Sequence, residues 1–279
     1  MLAAMENGSK QTIVLIHGLW MTPLAWEDWV ARYRARGHDV VTPGYPGVAP
    51  GPAGVTALRE DPTPLAELGV REVFDHLAAI IDELAEPPIL MGHSFGGTFV
   101  QLLLDVGYGR AGVSIDGAAV KGVKALPFSE IRSTFPVLKN PANVHRAVPI
   151  TAPEFHYAFT NTLAESDSRI AYERYAVPVP GRILFQGGLA NFTHNAATTY
   201  NFANDDRAPL LFIAGGRDHI LPPAVQHENY TKNAKHSSAI TAYKLFPQRD
   251  HFTCGAAGWE EVADFALTWA LNPLRGELD

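Results

Sequence analysis

The sequence predicts an α/β protein built on a mostly parallel sheet with helices on both faces. Two blocks of the chain alternate short, β-branched apolar runs with longer stretches of helical period. Parallel strands need crossover connections, and the helices in those connections cover both faces of the sheet. Active sites of such sheets lie beyond the carboxyl ends of the strands, and each motif described below follows a predicted strand.

The first block contains four predicted strands and three predicted helices. The run TIVLI is short and β-branched, as expected for a buried parallel strand, and it ends at a His-Gly pair. The strands are predicted over residues 12–16, 39–42, 88–91 and 112–115, and the helices over 25–36, 70–84 and 95–106. Proline and glycine are frequent between residues 43 and 64, which predicts a loop there.

The final third resumes the alternation, whereas the middle of the chain lacks it. Strands are predicted over 210–214 and 240–246, and helices over 224–233 and 259–271. Between about residues 121 and 207, prolines recur among aromatic residues and short helical patterns. We therefore expect an α/β core of residues 1–120 and 208–279 with an inserted helical lid of residues 121–207. A second domain with its own core is the alternative.

The composition excludes several classes of function. Of 279 residues, 47% are hydrophobic and 18% are charged, and the formal net charge of -7 offers nucleic acid or anionic membranes little to bind. The single cysteine, Cys254, excludes an intrachain disulfide. The N-terminal residues lack the features of a signal peptide, so we expect a cytoplasmic location. No long apolar stretch occurs, so we expect no membrane span. We also expect a monomer or a homodimer. No metal-ligand spacing, P-loop or dinucleotide fingerprint occurs, so no cofactor is expected.

The segment GHSFG at 92–96 fits the G-x-S-x-G pattern, in which a serine occupies a tight turn between a strand and a helix. Such a turn exposes the Ser94 hydroxyl and crowds the backbone on either side, where glycine relieves the crowding because it has no Cβ. The turn also leaves the Phe95 amide at a helix N-terminus, where an unpaired N–H can face an oxyanion. The apolar strand before the motif and the apolar helix after it are the context that the motif requires.

Four motifs together resemble those of the α/β-hydrolase superfamily, of the serine esterase and lipase type. They are HGLW at 17–20, GHSFGG at 92–97, GGRDH at 215–219 and RDHF at 249–252, in the superfamily's order of serine, acid and histidine. The resemblance spans nearly the whole chain and implies the α/β-hydrolase fold. In most members further strands precede the one that ends in His-Gly. Only about ten residues do so here, so we expect a compact version with a sheet of about six strands.

The resemblance implies that His251 is the general base and Asp218 the acid that orients it. The base must take the proton of the serine hydroxyl and return it to the leaving group, and imidazole suits both steps near neutral pH. The acid orients the imidazole and stabilises its cation. Asp116, after the fourth predicted strand, is the alternative acid, and His219 is the weaker alternative base. Asp250 is expected to brace the loop that contains His251.

The resemblance also places two oxyanion donors on the amides of Leu19 and Phe95, with Trp20 as an alternative to Leu19. The side chains around the serine are expected to form an apolar pocket, roofed by aromatic residues of the lid, that accepts an uncharged group. The predicted substrate-binding side chains are Trp20, Met21, Tyr157 and Phe159.

The first functional hypothesis is hydrolysis of carboxylic esters of apolar, small to medium-sized substrates through an acyl-serine intermediate. The same three side chains on this fold support perhydrolase or haloperoxidase, lactonase and C–C hydrolase chemistry, and a non-catalytic ligand receptor is a further alternative. Haloalkane dehalogenases and epoxide hydrolases resemble this chain in layout but use an aspartate nucleophile. Ser94 excludes their mechanism.

Overall fold

In the computed structural model, which describes residues 10–279, strands and helices alternate along most of the chain. The strands are β1 (Thr12–Ile16), β2 (Asp39–Val41), β3 (Ile89–His93), β4 (Ala111–Ile115), β5 (Ala147–Val148), β6 (Val179–Pro180), β7 (Leu210–Gly215), β8 (Thr241–Phe246) and β9 (Gly276–Leu278). The helices are α1 (Glu27–Ala35), α2 (Gly51–Glu60), α3 (Val70–Asp82), α4 (Phe95–Asp105), α5 (Phe128–Leu138), α6 (Ala152–Ala158), α7 (Glu165–Tyr175), α8 (Gly181–Gly188), α9 (Pro223–His236) and α10 (Trp259–Leu271). The N-terminal residues on which the signal-peptide prediction depends lie outside the described range.

Seven of these strands form one parallel sheet in the order β2-β1-β3-β4-β7-β8-β9, and β5 pairs with β6 in a separate antiparallel ribbon. The predicted α/β fold is confirmed, and all six predicted strands are present. The prediction of about six strands missed β9, which pairs Glu277 with Tyr243. This strand has three residues and no apolar alternation, so its pairing depends on the neighbouring strand rather than on a local pattern.

Each face of the sheet is covered by helices, as predicted. On one face, Ile13 and Leu15 of β1 share an apolar cluster with Trp29 of α1 and with Val262 of α10. On the other face, Val14 and Ile16 of the same strand share a cluster with residues of α3, α4 and α9. This alternation along β1 follows from the opposite directions of successive side chains in a strand.

The loop predicted between residues 43 and 64 contains a helix, α2, and the prediction was wrong there. The prolines and glycines suggested irregular backbone, but Pro52 lies in the first turn, where a missing amide proton costs no hydrogen bond. Val55 and Leu58 are buried on the inner face of α2. Tertiary burial of these two side chains therefore outweighs the low helix propensity of the segment.

The segment between β4 and β7, residues 121–207, contains α5 to α8 and the β5-β6 ribbon. Its buried side chains, including Val137, Phe155 and Ile183, belong to the same apolar cluster as Phe99 of α4. We call residues 121–207 the inserted segment; its function as a lid stays a prediction. Within residues 10–279, no helix combines the length and apolarity needed to cross a membrane.

Candidate active site

Ser94 occupies the turn between β3 and α4. Its backbone has φ 57 and ψ -125, a conformation that residues with a Cβ rarely adopt. A Cβ on Gly92 would overlap the Gly96 carbonyl, and a Cβ on Gly96 would overlap the Ile16 carbonyl, so these glycines allow the turn to be tight. The Ser94 amide donates to the Ile115 carbonyl at 2.9 Å, which ties the turn to β4. Strain of this kind persists only where the surroundings maintain it, and it is typical of functional sites.

His251 and Asp218 form a buried pair. Nδ1 of His251 lies 2.6 Å from Oδ2 of Asp218, and both side chains are fully buried. The other carboxylate oxygen, Oδ1, accepts hydrogen bonds from the amides of Ile220 at 2.7 Å and Leu221 at 2.8 Å. The carboxylate therefore orients the ring with its proton on Nδ1, and Nε2 is left as the acceptor. Nε2 is buried and has no hydrogen-bond partner among residues 10–279.

The electrostatics of this pair favour a neutral base beside an ionised acid. Burial lowers the pKa of the His251 imidazole well below its ordinary value. Burial also raises the pKa of Asp218, and the amides of Leu221 and Ile220 oppose that rise. Because three N–H groups donate to Asp218, we assign it the carboxylate form. A neutral imidazole oriented by a carboxylate is the resting state that general-base catalysis requires.

The structure brings His251 and Asp218 together, but no hydrogen bond joins Nε2 of His251 to the Ser94 hydroxyl within the described residues. The serine turn is nevertheless close to the imidazole. His93, the residue before Ser94, has its ring centre 4.6 Å from that of His251, and its Nε2 donates to the His251 carbonyl at 2.7 Å. Hydrogen bonds between nucleophile and base are often long in unliganded enzymes, so the Ser94–His251 contact stays a prediction.

Asp116, the alternative acid, is buried, but its hydrogen bond is to a backbone amide and not to His251. Its Oδ1 accepts from the Gly215 amide at 2.6 Å. A carboxylate oxygen of Asp116 and ring nitrogens of His93 and His251 lie within 4.8 Å of one another. Burial and the nearby charge of Asp218 raise the pKa of Asp116 well above its ordinary value, which favours its neutral form.

Two further predicted residues bond to the inserted segment. Nδ1 of His219 lies 2.9 Å from the Tyr157 carbonyl, so this alternative base faces the inserted segment. Asp250 accepts from the amide and the hydroxyl of Thr162 through Oδ2, and from the Phe252 amide through Oδ1. These bonds fasten the loop on either side of His251.

The amides of Leu19 and Phe95 have no hydrogen-bond acceptor within the described residues. Phe95 is the first residue of α4, so its amide has no partner in the helix. The turn before Leu19 is held by His17, whose Nε2 accepts from the Tyr45 amide at 3.3 Å. A Cβ on Gly18 would lie 2.6 Å from the Cβ of Ser94, so this turn approaches the serine closely. Two free N–H groups beside a serine are what an oxyanion hole requires.

The Ser94 side chain lines a cavity of about 320 Å³ whose wall is mostly apolar. One side of the cavity consists of Leu19, Trp20 and Phe95, next to the serine. The other side comes from the inserted segment. Its apolar lining residues there are Leu126, Ile131, Phe135, Leu138 and Leu184.

Of the four predicted substrate-binding side chains, only Trp20 lines this cavity, so Tyr157 and Phe159 are not part of its roof. Met21 is buried in the apolar core. Phe159 is fully buried, with its ring centre 4.9 Å from that of His251. Tyr157 faces Arg132, whose guanidinium lies 3.8 Å from the ring centre. Phe159 is part of the core, where aromatic side chains bury large areas, whereas α5 and α8 cover the cavity with aliphatic residues together with Phe135.

Sequence reasoning missed Glu130, which lines the cavity from α5. The available signal was its spacing. Leu126, Thr134 and Leu138 also line the cavity and lie at multiples of four residues from Glu130; Thr134 and Leu138 share its face of α5. A carboxylate in a cavity wall that is mostly apolar is a deviation that marks a candidate functional residue.

The parallel sheet, the strained serine turn and the buried His–Asp pair together define the class of α/β hydrolases. A model of the alpha/beta hydrolase family matches residues 13–265, and the chain belongs to this family. The superfamily expected from the sequence motifs is thereby confirmed.

Several solved structures share the fold at low sequence identity. A pyrethroid hydrolase from Sphingobium faniae is 19% identical, with a TM-score of 0.64 over 95% of this chain and 99% of that one. A monoacylglycerol lipase from Paleococcus ferrophilus is 20% identical, with a TM-score of 0.62 over 95% and 96%. A methylesterase from Arabidopsis is 13% identical, with a TM-score of 0.64 over 92% and 98%. No curated protein matches the sequence.

Proposed function

We propose that this protein is a serine hydrolase that cleaves carboxylic esters of apolar, small to medium-sized substrates. The main support is the arrangement of one site: the strained Ser94 turn lies beside an oriented imidazole with a free nitrogen, and the serine faces an apolar cavity. In this proposal Ser94 is the nucleophile, His251 the base and Asp218 the acid, and the Leu19 and Phe95 amides form the oxyanion hole.

The reaction follows from these roles. Oγ of Ser94 attacks the ester carbonyl carbon while Nε2 of His251 takes the hydroxyl proton. The carbonyl oxygen becomes an anion that the Leu19 and Phe95 amides stabilise; loss of one such donor costs roughly a hundredfold or more in rate. The bond to the leaving alcohol breaks as His251 returns the proton to the alcohol oxygen. Water, deprotonated by the same nitrogen, then attacks the acyl carbon; its bond to Oγ of Ser94 breaks, the carboxylic acid leaves, and His251 returns the proton to Oγ.

The cavity favours uncharged substrates. None of its lining residues is a lysine, an arginine or a histidine that could hold a carboxylate or phosphate on the substrate. The similar structures are named as a hydrolase, a lipase and a methylesterase with different substrates. That range supports the reaction class and leaves the substrate to be established. The proposal includes a lid function for the inserted segment, a cytoplasmic location and a monomeric or homodimeric state.

A panel of p-nitrophenyl esters of increasing acyl length, assayed beside peracid formation and lactone opening, tests the proposal. We expect a burst of p-nitrophenol followed by steady turnover, and a fluorophosphonate probe should label the peptide that contains Ser94. Faster lactone or peracid chemistry would move the assignment to another reaction of the same site. Labelling without turnover on any ester would contradict the esterase proposal.

A further inference from the structure

Glu130 places a carboxyl group in the wall of the cavity that contains Ser94. Its Oε2 is buried and accepts no hydrogen bond from the residues of the described range. Burial, reinforced by the negative charge of Asp218, raises the pKa of Glu130 to about 8. A buried polar atom without a partner destabilises a fold, so each such atom calls for a physical reason.

Glu130 does not cap the N-terminus of α5, so capping does not explain its position. Glu130 is the third residue of α5, the position from which a glutamate can fold back onto the residue before the helix. Glu72 of α3 and Glu154 of α6 occupy the same position and do so: they accept the amides of Gly69 at 3.1 Å and Thr151 at 2.8 Å. The residue before α5 is Pro127, which has no amide proton to donate.

Neighbouring side chains do not pair with the carboxyl either. The Thr134 hydroxyl, also in the cavity wall, donates to the Glu130 backbone carbonyl at 2.9 Å. Arg132, the nearest arginine along the helix, stacks on Tyr157. Apart from Ser94, the other cavity-lining side chain with a free polar atom is Trp20, whose indole N–H is unpaired within the described residues and belongs to the wall beside the serine.

We propose that Glu130 determines specificity by hydrogen-bonding a hydroxyl group on the half of the substrate that occupies the cavity. This inference rests on the proposed esterase function and names its substrate class: uncharged esters whose apolar chain bears one hydroxyl. A carboxyl group can accept from such a hydroxyl and, when protonated, donate to it. A site built to bond a substrate hydroxyl rejects the analogue that lacks it, because its own polar group then stays buried and unpaired.

Matched esters in which a hydroxyl replaces a methyl group test this inference. Ethyl ω-hydroxyalkanoates against ethyl alkanoates probe the acyl half, and ω-hydroxyalkyl acetates against alkyl acetates probe the alcohol half, over a series of chain lengths. We expect at least one pair for which kcat/KM favours the hydroxyl by about tenfold or more. The Glu130→Leu variant should lose that preference, and Glu130→Gln should keep most of it. The matched control is Glu154→Gln, which changes a capping glutamate of the inserted segment outside the cavity and should leave the ratio unchanged.

Binding to the Ser94→Ala variant separates this inference from the proposed function. Calorimetry should show tighter binding of the hydroxylated ester than of its alkyl partner, and Glu130→Leu in the same background should abolish the difference. If no ester is turned over but binding still depends on the hydroxyl and on Glu130, the esterase proposal fails and the binding role of Glu130 stands. If esters are turned over with the same hydroxyl-to-alkyl ratio in wild type and Glu130→Leu, the role of Glu130 is overturned.

Discussion

Nδ1 of His251 lies 2.6 Å from Oδ2 of Asp218, whereas Nε2 of the same ring is buried without a partner among residues 10–279. The two residues are 33 positions apart along the chain. They meet because Asp218 follows β7 and His251 follows β8, which are neighbouring parallel strands and end at the same edge of the sheet. This pairing fixes one nitrogen of the imidazole and leaves the other available to accept a proton.

Replacing Asp218 should therefore impair turnover far more than replacing Asp116. An asparagine at 218 no longer supplies the charge that stabilises the imidazolium and can favour the wrong tautomer, so we expect Asp218→Asn to lower kcat by about 10³- to 10⁴-fold. In Asp116→Asn the amide oxygen can still accept from the Gly215 amide, as Oδ1 does now, and we expect less than about a tenfold loss. Steady-state kinetics on one ester, with thermal melts of both variants, checks the ranking. The opposite ranking would make Asp116 the acid.

Ser94 is expected to be needed for turnover and not for folding. Ser94 lines the cavity rather than the core, so Ser94→Ala should abolish ester cleavage with nearly the same melting temperature. In Ser94→Ala the residue still has a Cβ, so the backbone strain at φ 57 remains, whereas glycine adopts this φ without strain. Ser94→Gly should accordingly melt at a higher temperature than Ser94→Ala while being equally inactive. Retained turnover in either variant would disprove the assignment of the nucleophile.

The fold was largely predictable because most strands are buried on both faces and therefore appear as continuous apolar runs. β4, for example, is buried at every residue, and its predicted limits differ from the observed ones by a single residue. The elements missed were those whose stability comes from tertiary contacts: the three-residue β9 and the proline- and glycine-rich α2. β9 is too short to show a period, and in α2 the prolines and glycines obscure the helical spacing of Val55 and Leu58.

In the candidate site, too, some residues could be predicted from local sequence and others could not. Recognisable motifs place Ser94, Asp218 and His251 directly after strands. Because these strands are parallel and end at the same edge of the sheet, the three residues were expected to lie close together. The cavity wall was not predictable, because α5 and α8 reach the site through packing between residues distant in sequence. Gly187 of α8, for instance, is close enough to Phe95 that an added Cβ would lie 3.0 Å from its ring.

Gly18 should matter for activity more than for stability. A Cβ there would lie 2.6 Å from the Cβ of Ser94 and 3.0 Å from the His93 carbonyl, so Gly18→Ala has to displace the serine turn. Displacements of about 1 Å at reacting groups can cost about a hundredfold in rate, and we expect a loss of that order in kcat/KM. Gly107→Ala is the control: Gly107 has φ 92 with open space around it, so its replacement should lower the melting temperature and leave kcat/KM unchanged. Equal kinetic losses in both variants would contradict the proposed contact.

The stability contributed by Glu130 should decrease as the pH rises. In the folded protein, burial and then the charge of Asp218 raise the pKa of Glu130 to about 8, whereas an exposed glutamate titrates near 4.5. Between these values the folded protein binds a proton that the unfolded chain releases, so folding becomes less favourable with increasing pH across this interval and constant above it. The Glu130→Gln variant lacks this proton release and should gain stability relative to wild type, by little near pH 4.5 and by up to a few kcal/mol near pH 8 to 9. Urea unfolding of both proteins across this range measures the difference. A pH-independent difference would show that the carboxyl of Glu130 titrates as an exposed group, and would remove the evidence that it is held unpaired inside the cavity.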